Sequence, residues 1–74
     1  MKERLILTVI YKNGNKLRQL VNYLHMERGR IWYTVDKQNY YSVIEEPVGI
    51  PIENVESFDL EKALCKGWEL PDEN

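Results

Sequence analysis

The chain has 74 residues, a net charge of −2 and a pI of about 5.3, which suits one small domain that buries roughly 60% of its unfolded surface. Cys65 and His25 are its only cysteine and histidine, which excludes a disulfide within the chain and an ordinary zinc site. No segment approaches the ~18 apolar residues of a membrane span, and the residues after Met1 lack a signal-peptide pattern, so we expect a cytoplasmic protein.

Charge is distributed unevenly along the chain. Residues 1–44 contain eight Lys or Arg and three Asp or Glu, whereas residues 45–74 contain two and nine. We interpret the two halves as segments that meet in the fold and partly neutralise each other, because charge runs usually mark solvated faces.

The first predicted strand covers residues 4–12, which are rich in β-branched and aromatic side chains. Alternation places Leu5, Leu7, Val9 and Tyr11 on one face and Ile6, Thr8 and Ile10 on the other. Both faces are largely apolar, which is typical of a central strand. Asn13-Gly14 then predicts a tight turn.

Residues 15–25 fit two structures. Leu17, Leu20, Val21 and Leu24 recur with helical spacing, and Asn15 could cap a helix. A tight turn directly after a strand favours a hairpin instead, so we predict an irregular strand that enters another strand near Tyr23. A helix over 15–25, which would make the fold α+β, is the alternative.

Arg28-Gly29 predicts a two-residue hairpin loop that pairs Glu27 with Arg30 and sets the register of its strands. One face of this hairpin is apolar and is predicted to join the core: Leu24, Met26, Ile31, Tyr33 and Val35. The other face is predicted to point outward: His25, Glu27, Arg30, Trp32 and Thr34.

The remaining elements follow from turn and breaker residues. We predict a turn at 36–39, a strand over 40–46 that Pro47 and Gly49 interrupt, a helical turn from Pro51 to Asn54, and a last strand over 55–60. Residues 60–66 are predicted to form one or two helical turns that stop at Gly67. The chain is thus divided into a β-domain over 1–61 and a short helical or irregular C-terminal extension over 62–74.

The segment Gly49-Ile50-Pro51-Ile52-Glu53-Asn54-Val55 resembles the closing signature of SH3 domains, in which a one-turn helix leads into the last strand. It is offset from that signature by one position. The alanine-leucine-tyrosine-aspartate element and the adjacent tryptophans of SH3 domains are absent, so the peptide groove of that family is not implied. Residues 5–61 also resemble small uncharacterised β-domains of Gram-positive bacteria and their phages. The resemblance implies an SH3-like architecture and a bacterial, phage or prophage origin.

The predicted fold is therefore all-β: a small SH3-like meander barrel of about five strands, with a one-turn helix before the last strand. Catalysis is not indicated. Ser42, Ser57 and Cys65 occur in no nucleophile signature with His25, and the four glycines are isolated rather than grouped in a phosphate-binding loop. We expect a non-catalytic protein without a cofactor, a metal or a small-molecule substrate.

Binding through the protein surface is the predicted activity, as a small interaction module or accessory protein. The candidate contact residues combine aromatic rings with cations, as interface hot spots do, and are Arg28, Arg30, Trp32, Tyr40 and Trp68. A protein partner or self-association is expected. Two alternatives are a barrel that stacks single-stranded nucleic acid on these rings and an acidic inhibitor that presents the carboxylates of 45–61 to a basic partner. Trp68 either folds back on the barrel or is free for contact.

Overall fold

The computed structural model describes residues 1–38, 43–67 and 69–71, with the side chains of 36–38 and 43–46 left aside. The described strands are β1 (Lys2–Tyr11), β2 (Lys16–Val21), β3 (Tyr23–Glu27), β4 (Arg30–Gln38), β5 (Val43–Pro51) and β6 (Val55–Cys65), and one 3₁₀ turn spans Ile52–Asn54. The prediction of an all-β fold with a one-turn helix before the last strand is confirmed.

The strands form two antiparallel sheets of three strands each. The first sheet has the order β2-β1-β6 and the second the order β3-β4-β5. The two sheets do not close into a barrel, so within the described residues β2, β6, β3 and β5 are edge strands. No helix in the described ranges is long and apolar enough to span a membrane.

β1 is the central strand of the first sheet, as its two apolar faces predict. On one face of β1, Leu7 and Val9 are fully buried against the second sheet, in a core that also contains Val21, Ile31, Tyr33 and Ile50. Burying one such aliphatic side chain stabilises the fold by about 1.5–3 kcal/mol. These contacts between the two sheets are therefore the main source of stability in so short a chain.

The opposite face of the first sheet has a smaller core of its own. Ile6, Leu20 and Cys65 are buried there, with Ala63 packed against them. The segment after β6 returns toward this sheet, because the Arg18 guanidinium donates to the Pro71 carbonyl at 2.7 Å and Arg4 Nε donates to the Gly67 carbonyl at 2.6 Å. Trp68 lies outside the described residues.

Residues 15–25 form strands rather than the alternative helix. β2 pairs with β1, so that Leu20 lies opposite Ile6 and Val21 opposite Leu5. A bend at Asn22 separates β2 from β3, which joins the other sheet. The segment therefore follows strand alternation rather than helical spacing. Because it contains most of two separate strands, β2 and β3, the described residues form six strands where about five are predicted.

The hairpin of β3 and β4 has the predicted register. Glu27 pairs with Arg30, Met26 with Ile31 and His25 with Trp32. Arg28 and Gly29 have φ angles of 52° and 71°, the left-handed conformation that a two-residue type I′ hairpin loop requires at both positions. Ile31 and Tyr33 are buried, as predicted.

Three predictions about element ends are wrong. β6 continues to Cys65 instead of becoming a helix over 60–66, because its ladder with β1 extends to the pair Lys2–Cys65. The strand therefore crosses the predicted domain boundary after residue 61. β4 runs to Gln38, past the start of the predicted 36–39 turn, and β5 passes through Pro47 and Gly49 without interruption. β5 tolerates proline because it is an edge strand.

The 3₁₀ turn is held between the two sheets. The Ile52 N–H donates to the Gly29 carbonyl at the hairpin tip, and the Lys12 N–H donates to the Asn54 carbonyl, both at 2.9 Å. Pro51 directly precedes the turn, which starts at Ile52, one position after the predicted start. These two hydrogen bonds fix the direction in which β6 leaves the turn, and with it the site described next.

Candidate protein-interaction surface

The candidate residues predicted from the sequence are not all brought together. Arg28 and Arg30 are exposed at the tip of the β3–β4 hairpin, where with Glu53 they line a groove of about 410 Å³. Trp32 lies on β4, on the same face as Arg30. Tyr40 and Trp68 lie outside the described residues.

Trp32 packs on its own sheet rather than projecting freely. Its six-membered ring lies over Gly49 of the adjacent strand, so close that a Cβ there would be 2.8 Å from the ring. The indole N–H donates to the Glu27 carbonyl at 3.3 Å. The ring thus spans β5 to β3, and a side chain at position 49 would displace it.

The prediction that Met26 joins the core is wrong. Met26 lies on the same hairpin face as its cross-strand partner Ile31, yet it is 52% exposed whereas Ile31 is completely buried. Met26 lines a groove together with Val55 and Ser57 of β6. Met26 is therefore left at the margin of the core, facing an opening between β3 and β6.

Further large apolar side chains are exposed beside Met26, and sequence analysis did not assign them to a site. Phe58, Leu60 and Leu64 follow one face of β6 at alternate positions and are 40%, 39% and 61% exposed, and Ile52 of the 3₁₀ turn is 41% exposed. We name this surface, made of Met26, Ile52, Phe58, Leu60 and Leu64, the open face.

A groove of about 440 Å³ forms one end of the open face. Met26, Ile52 and Phe58 line it, and Ile31 and Val55 also contribute to its lining. The buried Ile31 and the half-buried Val55 belong to the core or pack against it. The groove therefore leads from the surface directly to the contact between the two sheets.

The open face exists because β6 is an edge strand that the second sheet does not cover. The inner face of β1 packs under the second sheet, whereas the next strand in the same sheet, β6, presents the same face to solvent. The alternation of Phe58, Leu60 and Leu64 is visible in the sequence. Their exposure is not, because it depends on where the other sheet lies.

Acidic residues accompany the open face along the chain, but two of them lie on the reverse side of β6, where Asp59 pairs with Thr8 and Glu61 with Ile6. Glu53, Glu56, Asp59 and Glu61 are all exposed. The exposed Lys62 pairs with Leu5 and therefore lies on the open face, between Leu60 and Leu64. The register with β1 shifts by one residue between Ile10 and Tyr11, which leaves Glu56 without a cross-strand partner. Such a bulge bends an edge strand locally.

Three further titratable side chains of the described residues, His25, Cys65 and Tyr33, lie at separate places in the fold. The His25 Nε2 lies 3.5 Å from a Glu27 carboxylate oxygen on the half-exposed outer face of the hairpin. Cys65 is buried and unpaired by disulfide. Burial, and after it the neighbouring Tyr11, raises the pKa of Tyr33 above its usual value. Among the described residues no three His, Cys, Asp or Glu are grouped closely enough to hold a metal ion.

Comparison of the chain with protein-family models, with curated proteins and with solved structures gave no match. The site is therefore interpreted from its own geometry, in which the exposed apolar side chains of the open face are the dominant feature.

Proposed function

We propose that the protein is a non-catalytic interaction module that binds another protein through the open face. The observation that carries this proposal is the exposure of five large apolar side chains. Three of them line one groove, and Leu60 and Leu64 continue along the same face of β6, with Lys62 between them. Monomeric proteins seldom expose a large contiguous apolar patch bordered by polar residues unless it binds something. A bacterial, phage or prophage origin and a cytoplasmic location stay predictions from the sequence.

The energy available at this surface suits a specific contact. Full burial of a large apolar side chain is worth about 1.5–3 kcal/mol, and the five residues of the open face are roughly half exposed. A partner that covers all five gains several kcal/mol, from which the cost of association is subtracted. Leu60 and Phe58 lie at the centre of this surface, where most binding energy is expected.

Two of the candidate residues from the sequence border the same surface. Arg28 and Arg30 line the hairpin-tip groove together with Ile52, and Ile52 also lines the groove with Met26 and Phe58. A partner seated on the open face would thus reach the two arginines at its rim. Arg28 and Arg30 are therefore compatible with a binding surface that includes the open face.

No observation in the described part of the chain favours the alternative of nucleic-acid binding. That function needs stacking rings over a basic groove, but Trp32 packs on Gly49 and Glu53 lies beside Arg28 and Arg30 in the hairpin-tip groove. We predict no appreciable binding of labelled single- or double-stranded oligonucleotides at physiological salt in fluorescence anisotropy. Submicromolar binding that weakens with salt and is lost in Arg30→Ala would restore the alternative.

Site-specific photo-cross-linking tests the proposal. A photoreactive phenylalanine analogue replaces Leu60 in one variant and Tyr23 in the control, since Tyr23 is exposed on the outer face of the other sheet. Irradiation of producing cells is expected to yield a discrete cross-linked protein from position 60 and none from position 23. Adding Phe58→Ser to the first variant should abolish that product.

The proposal fails if position 60 gives no discrete product, or if positions 60 and 23 give the same products. The circular dichroism spectrum of each variant shows whether the β-fold is retained. A product at position 60 that survives Phe58→Ser would place the contact outside the open face.

A further inference from the structure

The free edge of β6 is a second feature of the same surface. β6 has 11 residues, and among the described strands it pairs with β1 alone. Alternate backbone N–H and C=O groups along its other side therefore point away from the sheet, and such a row is a template for another strand. β6 contains no proline, and its one bulge lies near its start, at Glu56.

Pairing of β6 with β6 of a second copy is opposed by charge. An antiparallel pair centred on any residue from 59 to 62 brings two of the exposed apolar side chains opposite each other. Each of these registers also places like charges directly opposite, which destabilises a strand pair. In order of the central residue, the like-charged pairs are Asp59–Asp59, Asp59–Glu61, Glu61–Glu61 and Lys62–Lys62.

Two further registers are unfavourable for related reasons. In an antiparallel pair centred on Phe58, only one residue on either side of Phe58 can pair before the ladder reaches the bulge at Glu56. Centring on Leu64 places Lys62 opposite Lys66 of the second copy. The charges of β6 therefore protect a long apolar edge against its own copies, a device by which natural sheets avoid edge-to-edge association.

The same charges are favourable toward a basic strand. Asp59 and Glu61 lie on the face of β6 that carries Thr8 and Ile6 on the adjacent strand, whereas Phe58 and Leu60 lie on the face with Val9 and Leu7. Side chains alternate between the two faces of a strand, so a strand added to this edge would place every second residue beside Phe58 and Leu60 and the others beside Asp59 and Glu61. Apolar side chains would meet the open face, and Lys or Arg would pair with the two acids.

We propose that β6 binds an extended basic segment of a partner protein as an added strand. The segment alternates apolar residues, directed to Phe58, Leu60 and Leu64, with Lys or Arg opposite Asp59 and Glu61. This inference rests on the proposed function and specifies the chemistry of its partner. Backbone hydrogen bonds along the edge provide affinity, and the alternating side chains provide specificity.

Synthetic peptides of 11 residues, to match the length of β6, serve as probes. One alternates Lys with Val, a second alternates Glu with Val, and a third has the composition of the first in blocks. Binding is followed by NMR on the full chain, together with amide hydrogen exchange. We expect the Lys–Val peptide to bind more tightly than both others and to slow the exchange of those β6 amides that are free in the protein alone.

A charge variant tests the assigned pairs. Asp59→Asn/Glu61→Gln should weaken binding of the Lys–Val peptide roughly two- to thirty-fold, as expected for two cross-strand charge pairs. The control Glu27→Gln/Glu69→Gln removes two exposed acids that lie outside β6, and it should change binding much less. Equal weakening in both variants, or binding without protection of β6 amides, would overturn the inference.

The failure of strand addition can be distinguished from the failure of the proposed function. If no peptide binds but the cross-link at position 60 is retained, a partner uses the open face without adding a strand. If the chain alone associates and protects its β6 amides, the occupant is a second copy. Either result contradicts the proposal of a basic strand.

Discussion

The two neighbouring strands β1 and β6 share one sheet face but have opposite environments. Leu7 and Val9 of β1 are completely buried, whereas their cross-strand partners Leu60 and Phe58 are 39% and 40% exposed. All four are large apolar residues at alternating positions. The difference comes from the second sheet, which covers β1 and β2 and leaves β6 open. Core and binding surface are therefore adjacent parts of one continuous face.

The largest expected effect is a difference in stability between variants of Leu7 and of its cross-strand partner Leu60. Leu7→Ala should lower the free energy of unfolding by about 2–5 kcal/mol, because it opens a cavity in the core. Leu60→Ala removes the same atoms and should cost about 1 kcal/mol or less, because solvent already reaches the side chain. Urea denaturation of both variants measures the difference. Similar losses would mean that β6 is covered and that the open face does not exist.

The pair Met26 and Ile31 gives the same comparison in the other sheet, with a smaller effect. Ile31→Val should cost about 0.5–1.5 kcal/mol, since even one methyl group is missed in a packed core. Met26→Gln keeps the length of the side chain, and we expect a change within about 0.5 kcal/mol. If Met26→Gln proved less stable than Ile31→Val, Met26 would be buried, and the groove that it lines beside β6 would be closed.

The smallest expected effect is a difference in the pH dependence of stability between variants of the buried Tyr33 and of the exposed Tyr23. Burial raises the pKa of Tyr33 above its value of 10.0 in the unfolded chain, so the folded state keeps this proton where the unfolded chain loses it. The free energy of unfolding should therefore fall as pH rises above about 10. Tyr33→Phe should make this fall shallower, whereas Tyr23→Phe, at an exposed site, should not. Parallel pH profiles for both variants and the unmodified chain would contradict the burial of Tyr33.

Features encoded by neighbouring residues could be predicted from the sequence. The Arg28-Gly29 loop determines the hairpin register, alternation over β1 identifies a central strand, and Pro51 marks the 3₁₀ turn. Each depends on backbone conformations or side-chain periodicity within about ten residues. These local signals predict the structure correctly because no contact elsewhere in the described fold overrides them.

Coverage of a face by another sheet could not be predicted in the same way. Alternation correctly places Met26 with Ile31, but it does not say how far the opposing sheet extends. Similarly, Leu60, Ala63 and Leu64 have a spacing that fits a helix as well as a strand. The ladder with β1 decides in favour of the strand. The open face could not be predicted for both reasons, since two of its five residues, Leu60 and Leu64, lie in the segment 60–66 predicted to be helical.

Residue-resolved amide hydrogen exchange of the free chain tests the contrast between β1 and β6 most directly. β1 has a hydrogen-bonded neighbour on each side, so we expect slow exchange at consecutive residues in the middle of the strand. β6 has one such neighbour, so slow and fast amides should alternate from Ser57 to Leu64, with the fast ones pointing to the free edge. Uniformly slow exchange along β6, equal to that of β1, would show that its edge is already occupied and would contradict the account.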